Sequence, residues 1–412
     1  MPSCFVEQQL PNGLRIVCEV MPRVRSATVA FLARTGARDE TPAEHGVSHF
    51  LEHMCFKGTA RRSWHDINVR FDELGSIYNA YTSKEHTVYY GWVPAERFEP
   101  QLELLADMMR PALPPTEFET ERQVILEEIA MSDDSFDRQV WNFVHRVVFD
   151  GHPLGHEVLG EKETIATLSH ETLADYHRRR YAADNMCLLV AGAIEPEAVF
   201  AAAGRYLAAW QPARNCARSA AGLPPWPTGV HKLRLERFQR QTLVLLFPAP
   251  PRGHPDEENV EVFTQLFGGH NSRCYWNIVQ RGLCTQAGAL WIAYEDCGLL
   301  ALFVDGTPDC CPAMLDALRE QIREVCEKGV RAEEVQRVKN QRRTHLALEA
   351  ENPRTRVMQL VDDLETRGRP HTPEARLAAV QAVSPRSIMR YLERYPIGDA
   401  GVLLSCGPRD WP

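Results

Sequence analysis

The chain has 412 residues, 44% hydrophobic and 25% charged, with a formal net charge of −9. Two to three domains with sizeable cores are expected at that length. The balance excludes a disordered chain and argues against an overall nucleic-acid binder, which needs a basic surface to displace phosphate counterions.

No stretch reaches the roughly 20 apolar residues of a membrane helix. The first ten residues read as neither a secretory signal nor a transit peptide. The twelve cysteines are scattered, with one adjacent pair at Cys310 and Cys311 and no Cys-x-x-Cys, a pattern that fits reduced thiols better than a disulfide framework. A soluble, cytoplasmic protein with neither membrane nor nucleic-acid partner is the expectation.

Along the chain, Leu14–Val20 and Ser26–Thr35 alternate apolar and polar residues as strands do. Thr41-Pro42-Ala43-Glu44 has capping-box spacing with proline at the first helical position. The apolar segment Val47–Phe56 follows and stops at Lys57-Gly58. Gly46 leaves two helix starts open, at Pro42 or just after the glycine, and both place His49 to His53 inside a helix. Ile67–Leu74 reads as a second helix, Thr82–Val93 as a strand, and Glu119–Phe149 as one long, mainly helical stretch. Thr172–Tyr181 reads as a helix before the apolar strand Met186–Gly192.

Between Gln211 and Gly229 two proline clusters can continue neither a helix nor a central strand. This predicts an N-terminal domain over 1–210, a linker over 211–229 and a second domain over 230–412. The second half ends as the first does, with helical segments from Pro373 to Tyr395 and an apolar strand over Gly401–Gly407, a weak internal repeat of two α+β units.

The central motif is His49-Phe50-Leu51-Glu52-His53. On a helix, residues i and i+4 share a face, so both imidazoles reach one ion, and Glu52 projects beside them toward a water on that ion. This is the His-x-x-Glu-His order of inverted zinc proteases. Zinc suits two neutral imidazoles and a carboxylate, with the fourth position kept for water. The motif alone is also compatible with a solvated helix face.

A third ligand must come from elsewhere, and Glu121-Arg-Gln-Val-Ile-Leu-Glu-Glu128 is the best source. Glu121 and Glu128 lie two helical turns apart and share a face with Val124 and Ile125, whereas Glu127 points about 100° away. A carboxylate on a partly apolar face calls for a cation or metal. The alternative is a surface acidic run.

With these residues in view, the chain resembles the insulinase/pitrilysin family of zinc metallopeptidases. The likeness is greatest to its short two-domain branch, which includes mitochondrial processing peptidase and bacterial relatives. The matching segments are Leu10-Pro-Asn-Gly-Leu14, Gly46 to Thr59, Asn79-Ala-Tyr-Thr-Ser83, Glu121 to Glu128, His152-Pro-Leu-Gly155, Leu159-Gly160 and Tyr181 to Asn185. The resemblance implies two related domains, each a mostly antiparallel sheet flanked by helices, pairing with a second subunit as a clam-shell chamber. It implies Zn2+ held by His49, His53 and Glu128, with Glu52 as general base. It also implies that Glu121 orients a zinc histidine and that Asn79, Ala80 and Thr82 lie on an edge strand that holds the peptide substrate by strand addition.

The sequence departs from that family in the second half. Active single-chain relatives carry an Arg and a Tyr after a Gly-Gly…Ser-Arg segment, to bind the substrate carbonyl. Here Gly268, Gly269, Ser272 and Arg273 are kept, but the two positions hold Val279 and Thr285, with Arg281 and Tyr275 out of register. The resemblance then implies a heterodimer whose zinc-free partner supplies the pair, the alternative being a homodimer with a divergent segment. Two other readings are a non-catalytic assembly or scaffold subunit, and a maturation protease dedicated to one peptide. His45 and His86 are expected as loop or strand-surface histidines, Arg337 to Arg343 as a solvated helix face, and His152 to Gly155 as a turn shaping the site's wall.

Overall fold

Strand-forming runs separated by helical segments assemble into two α+β units in a computed structural model, which describes residues 4–213, 218, 222–398 and 401–412. In the first sheet β1 (Cys4–Gln9), β2 (Arg15–Val20), β3 (Ser26–Ala33), β4 (Ile77–Thr82), β5 (Thr87–Pro94) and β6 (Met186–Gly192) run in the order β1-β2-β6-β3-β5-β4. Only the β2–β6 pair is parallel. In the second, β7 (Val230–Arg234), β8 (Gln241–Ala249), β9 (Gln286–Ala293), β10 (Gly298–Gly306) and β11 (Val402–Gly407) run β7-β11-β8-β10-β9, with only β7–β11 parallel. With β1 set aside, both sheets place their first, last, second, fourth and third strands side by side. The internal repeat, faint in the sequence, is plain in the topology.

Four helices matter for the site: α1 (Val47–Met54), α2 (Trp64–Leu74), α3 (Phe98–Met108) and α4 (Pro115–Asp133). They cover one face of the first sheet, burying Val29 and Phe31 of β3 with Phe50, Phe71, Leu102, Leu105 and Ile125. The opposite face of β3, with Ala30 and Leu32, packs on Val357, Leu360, Val361 and Leu364 of the helix Pro353–Arg367. This strand is therefore buried on both faces, because a helix from the far half of the chain covers its second side.

The compact units differ from the contiguous halves 1–210 and 230–412 at two helices. One unit comprises 1–135, 149–223 and 349–370, and the other 136–148, 224–348 and 371–412. The division at 223/224 falls within the expected linker 211–229, part of which lies outside the described residues. The long, mainly helical stretch expected over Glu119–Phe149 is made of two helices, α4 and α5 (Phe136–Val148), with a break at Asp134-Ser135. The apolar stripe Phe136, Val140, Val144 and Val148 of α5 is buried within the second unit, with Phe136 5.1 Å from Phe238 and Trp141 5.7 Å from Phe303. Periodicity alone continues through such a break, because each piece is amphipathic in its own right.

Smaller differences have local causes. The strand expected over Thr82–Val93 is a β4–β5 hairpin, turned where Ser83 Oγ accepts the amides of Glu85 and His86. β1 carries little strand signal in the sequence, because its residues are mostly exposed and half of them are polar. No described helix is long and apolar enough to cross a membrane.

Candidate metal centre

Helix α1 starts after Gly46, which adopts φ +92°, while the Thr41/Glu44 capping box closes a separate short turn at Pro42–Glu44. A side chain at Gly46 would strike the carbonyl of Leu159 at 2.7 Å, so glycine is required there by both conformation and space. Val47, Phe50, Leu51 and Met54 turn into the core, leaving His49, Glu52 and His53 together on the other side. The i, i+3, i+4 relationship read from the sequence is realised.

Helix α4 brings the acidic residues to that face. Phe118, Glu121 and Ile125 are buried, and Phe118 stacks on Phe50 at 4.7 Å between ring centroids, docking α4 onto α1. Glu128 then lies with Oε2 3.8 Å from Nε2 of both His49 and His53. One donor atom from each of these three residues falls within 4.8 Å of the other two, and among the described residues this is the one such cluster. Two imidazoles and a carboxylate at that spacing fit a zinc ion. Glu127, read as pointing about 100° away, is exposed and outside the trio.

Glu121 is 3% exposed and does not join the trio. Its Oε2 lies 3.0 Å from Nδ1 of His53 and its Oε1 2.5 Å from Nζ of Lys57. Burial opposes its charge, but the bonds to His53 and Lys57 outweigh that and hold its carboxyl below the usual range. An ionised carboxylate can only accept, so Nδ1 of His53 carries the proton and Nε2 is left to face Glu128. Burial likewise works against a charge on His53, yet Glu121, Glu128 and Glu52 together raise its pKa. Such an excess of carboxylates around two imidazoles is an environment made for a cation. Lys57 was read from the sequence only as a helix stop; its part in holding Glu121 had no signal there.

Glu52 is largely buried, which raises its pKa, with Thr82 and His53 pulling it down and Glu128 pushing it up. Thr82 Oγ1 donates to Glu52 Oε2 at 2.5 Å. The residue expected to touch substrate thus also grips the expected base. It comes from β4, the edge of its sheet, on which Tyr78, Ala80 and Thr82 are half-buried and Ile77, Asn79 and Tyr81 are exposed. Asn79 Oδ1 accepts the amide of Ala80 at 2.9 Å.

The other candidates are accounted for by ordinary contacts. His45 stacks on His156 with centroids 3.8 Å apart, and burial lowers its pKa to about 4. His86 is buried, 4.0 Å from Glu365, and neither it nor His45 joins the trio. Around the expected carbonyl-binding segment, Arg273 is buried in a two-pronged pair with Glu334 at 2.9 and 2.7 Å. Val279 packs against its unit's core and Thr285 Oγ1 donates to the Asp305 carbonyl. Tyr275 lies in a single π-helical turn, Tyr275–Val279, its hydroxyl accepting from Gln280 at 2.6 Å. Within Arg337 to Arg343 most residues are exposed, and Arg342 pairs with Glu261.

Comparison with known proteins places the chain in a family. The insulinase (peptidase family M16) pattern matches residues 15–162, and that of the peptidase M16 inactive domain matches residues 167–342. An uncharacterized zinc protease of Bacillus subtilis is 31% identical over 350 residues, covering 84% of each chain. The beta subunit of the mitochondrial-processing peptidase of Lentinula edodes is 27% identical over 94% of this chain and 86% of its own. A protease from Helicobacter pylori has the same fold, with a TM-score of 0.88 at 19% identity, covering 98% of this chain and all of that one (100%). With the His49, His53 and Glu128 trio inside the stretch that matches the peptidase pattern, the chain belongs to the insulinase family of peptidases, family M16.

Proposed function

We propose that this protein is a zinc endopeptidase acting on peptides or small unfolded proteins. The observation that carries the reading is the placement of the Glu52 carboxylate on the same helical face as the His49, His53 and Glu128 donors. Held by those three residues, zinc would polarise the scissile carbonyl and lower the pKa of water at its open position. Glu52 accepts the proton of the attacking water and delivers it to the leaving amine. Thr82 fixes the carboxylate's direction, and Glu121 keeps the proton of His53 on Nδ1. The open side of β4 offers main-chain groups to an extended substrate, with Asn79 and Ala80 at its centre.

The same reading assigns the chain to the zinc-bearing side of a dimer. Val279 and Thr285 stand where a carbonyl-binding Arg and Tyr are expected, and Arg273 is committed to Glu334. A zinc-free partner carrying the Arg/Tyr pair would complete the site. That one relative is named a beta subunit is in keeping with this.

The test is Glu52→Gln in the assembled enzyme. Zinc content is expected to match the wild type while peptide hydrolysis falls by about 10²–10⁴-fold. Turnover close to wild type in that variant would remove Glu52 as the base.

A further inference from the structure

We infer that Glu40 is a positioning residue for the metal helix, clamping its amino end so that His49 and His53 face Glu128. The inference rests on the zinc reading above. The side chain of Glu40 is wholly buried, and a buried carboxylate is costly unless several donors meet it. Two backbone amides and a histidine do. Oε2 accepts the amide of Gly46 at 2.7 Å and Oε1 that of Ser48 at 2.8 Å, and Nε2 of His156 lies 3.2 Å from Oε2.

Two of those donors belong to the entry and first turn of α1, where amides lack intrahelical partners and negative charge is favoured. The residue just before the helix is Gly46, which has no side chain with which to cap. Glu40 does this work from six residues upstream. With eight residues, α1 is too short to set its own position, so tertiary anchors decide its rotation about its axis. Glu121 holds its far end through His53, and Glu40 holds the near end one residue from His49. Ser48 Oγ is tied in addition to Tyr176, 2.7 Å away, and Tyr176 to Thr35, 2.8 Å away.

The clamp also accounts for the His152-Pro-Leu-Gly155 motif. That turn delivers His156, which bonds Glu40, stacks on His45, and accepts Lys84 Nζ from the β4–β5 turn on its carbonyl. One buried cluster thereby joins the metal helix to the turn that ends the proposed substrate strand.

The test is zinc affinity, measured by chelator competition on full-length wild type, Glu40→Ala and Glu40→Gln, with thermal unfolding of each zinc-free protein. Glu40→Ala is expected to weaken zinc binding by about 10–100-fold, the range found when groups supporting metal ligands are removed. Glu40→Gln keeps the shape but puts an NH2 group where one of the two amides needs an acceptor, and is expected to weaken it by about 10-fold. If Glu40→Ala does not fold, the Gln variant decides. Wild-type zinc affinity in the folded variants, with or without a lowered melting temperature, overturns the inference and leaves Glu40 a structural residue only. Absence of zinc binding by the wild type would instead overturn the zinc reading itself.

Discussion

Nδ1 of His53 donates to Glu121 Oε2 across 3.0 Å, while Nε2 of the same ring stands 3.8 Å from Glu128 Oε2. The two glutamates of one helix thus serve one histidine in different ways, one holding its proton and the other sharing its ligand face. Against the cost of burial, His53 and Lys57, the latter 2.5 Å away, together hold the Glu121 carboxyl below its usual range.

Removing the orienting carboxylate should therefore act through the metal. Glu121→Ala is expected to weaken zinc binding by about 10–100-fold while the fold persists. Chelator competition alongside circular dichroism checks this, and unchanged zinc affinity would deny Glu121 that role.

Thr82 predicts a different signature. Valine in its place keeps the shape but loses the bond to Glu52, and kcat is expected to fall about 10-fold, the worth of one hydrogen bond of roughly 1.4 kcal/mol. KM and zinc content should hold, and Thr82→Ser should recover most of the rate. If serine rescues no better than valine, the hydroxyl is not what matters.

The pair of Glu334 with Arg273 gives the second unit a pH-dependent stability. Burial opposes the charge of Glu334, but its bonds to Arg273 and Arg331 prevail and bring its pKa down to about 2. A folded-state pKa below the ordinary value of about 4.3 means stability that is full above that value and lost as pH falls toward 2. Urea unfolding between pH 6 and pH 3 should show the loss. Glu334→Gln should flatten that part of the curve and cost about 3–5 kcal/mol at neutral pH, since Arg273 is left buried without its counter-charge.

Glu19 and Arg356, each 1% exposed, form the buried ion pair that docks the helix Pro353–Arg367 on the first sheet. Arg356→Met alone is expected to cost about 3–5 kcal/mol, and the double change Glu19→Met/Arg356→Met far less, because no charge is then left buried alone. Denaturant unfolding of both single variants, Glu19→Met and Arg356→Met, and of the double completes the cycle, and additive losses would show that the two residues do not act as a pair.

If a partner completes the site, the purified chain should bind zinc yet turn over peptides slowly, and gain activity when a zinc-free subunit bearing the Arg/Tyr pair is added. Native mass measurement with a peptide assay decides. Full activity as a homodimer would sink the heterodimer.

Much of the metal face was legible because it is local. His49, Glu52 and His53 lie within five residues, and a helix sets their common direction whatever surrounds it. The strand Met186–Gly192 was found to the residue, since its apolar run is fully buried. The separate tasks of Glu121 and Glu128 were not open to periodicity, which places both on one face; the family resemblance had suggested them. Periodicity likewise ran straight through Asp134-Ser135, where the chain leaves one unit for the other.

By itself, the sequence determined which side chains point the same way along α1 and along α4, because backbone geometry dictates that within two turns. Only the tertiary structure decided what stands opposite them: Glu121 against His53 across 68 residues of chain, Thr82 against Glu52 across 30, and Glu40 beneath the amides of α1. It also decided that Pro353–Arg367 covers a sheet built from the other end of the chain. A period tells a side chain's direction about its own axis; the partner waiting there is set by packing between segments that the sequence keeps far apart.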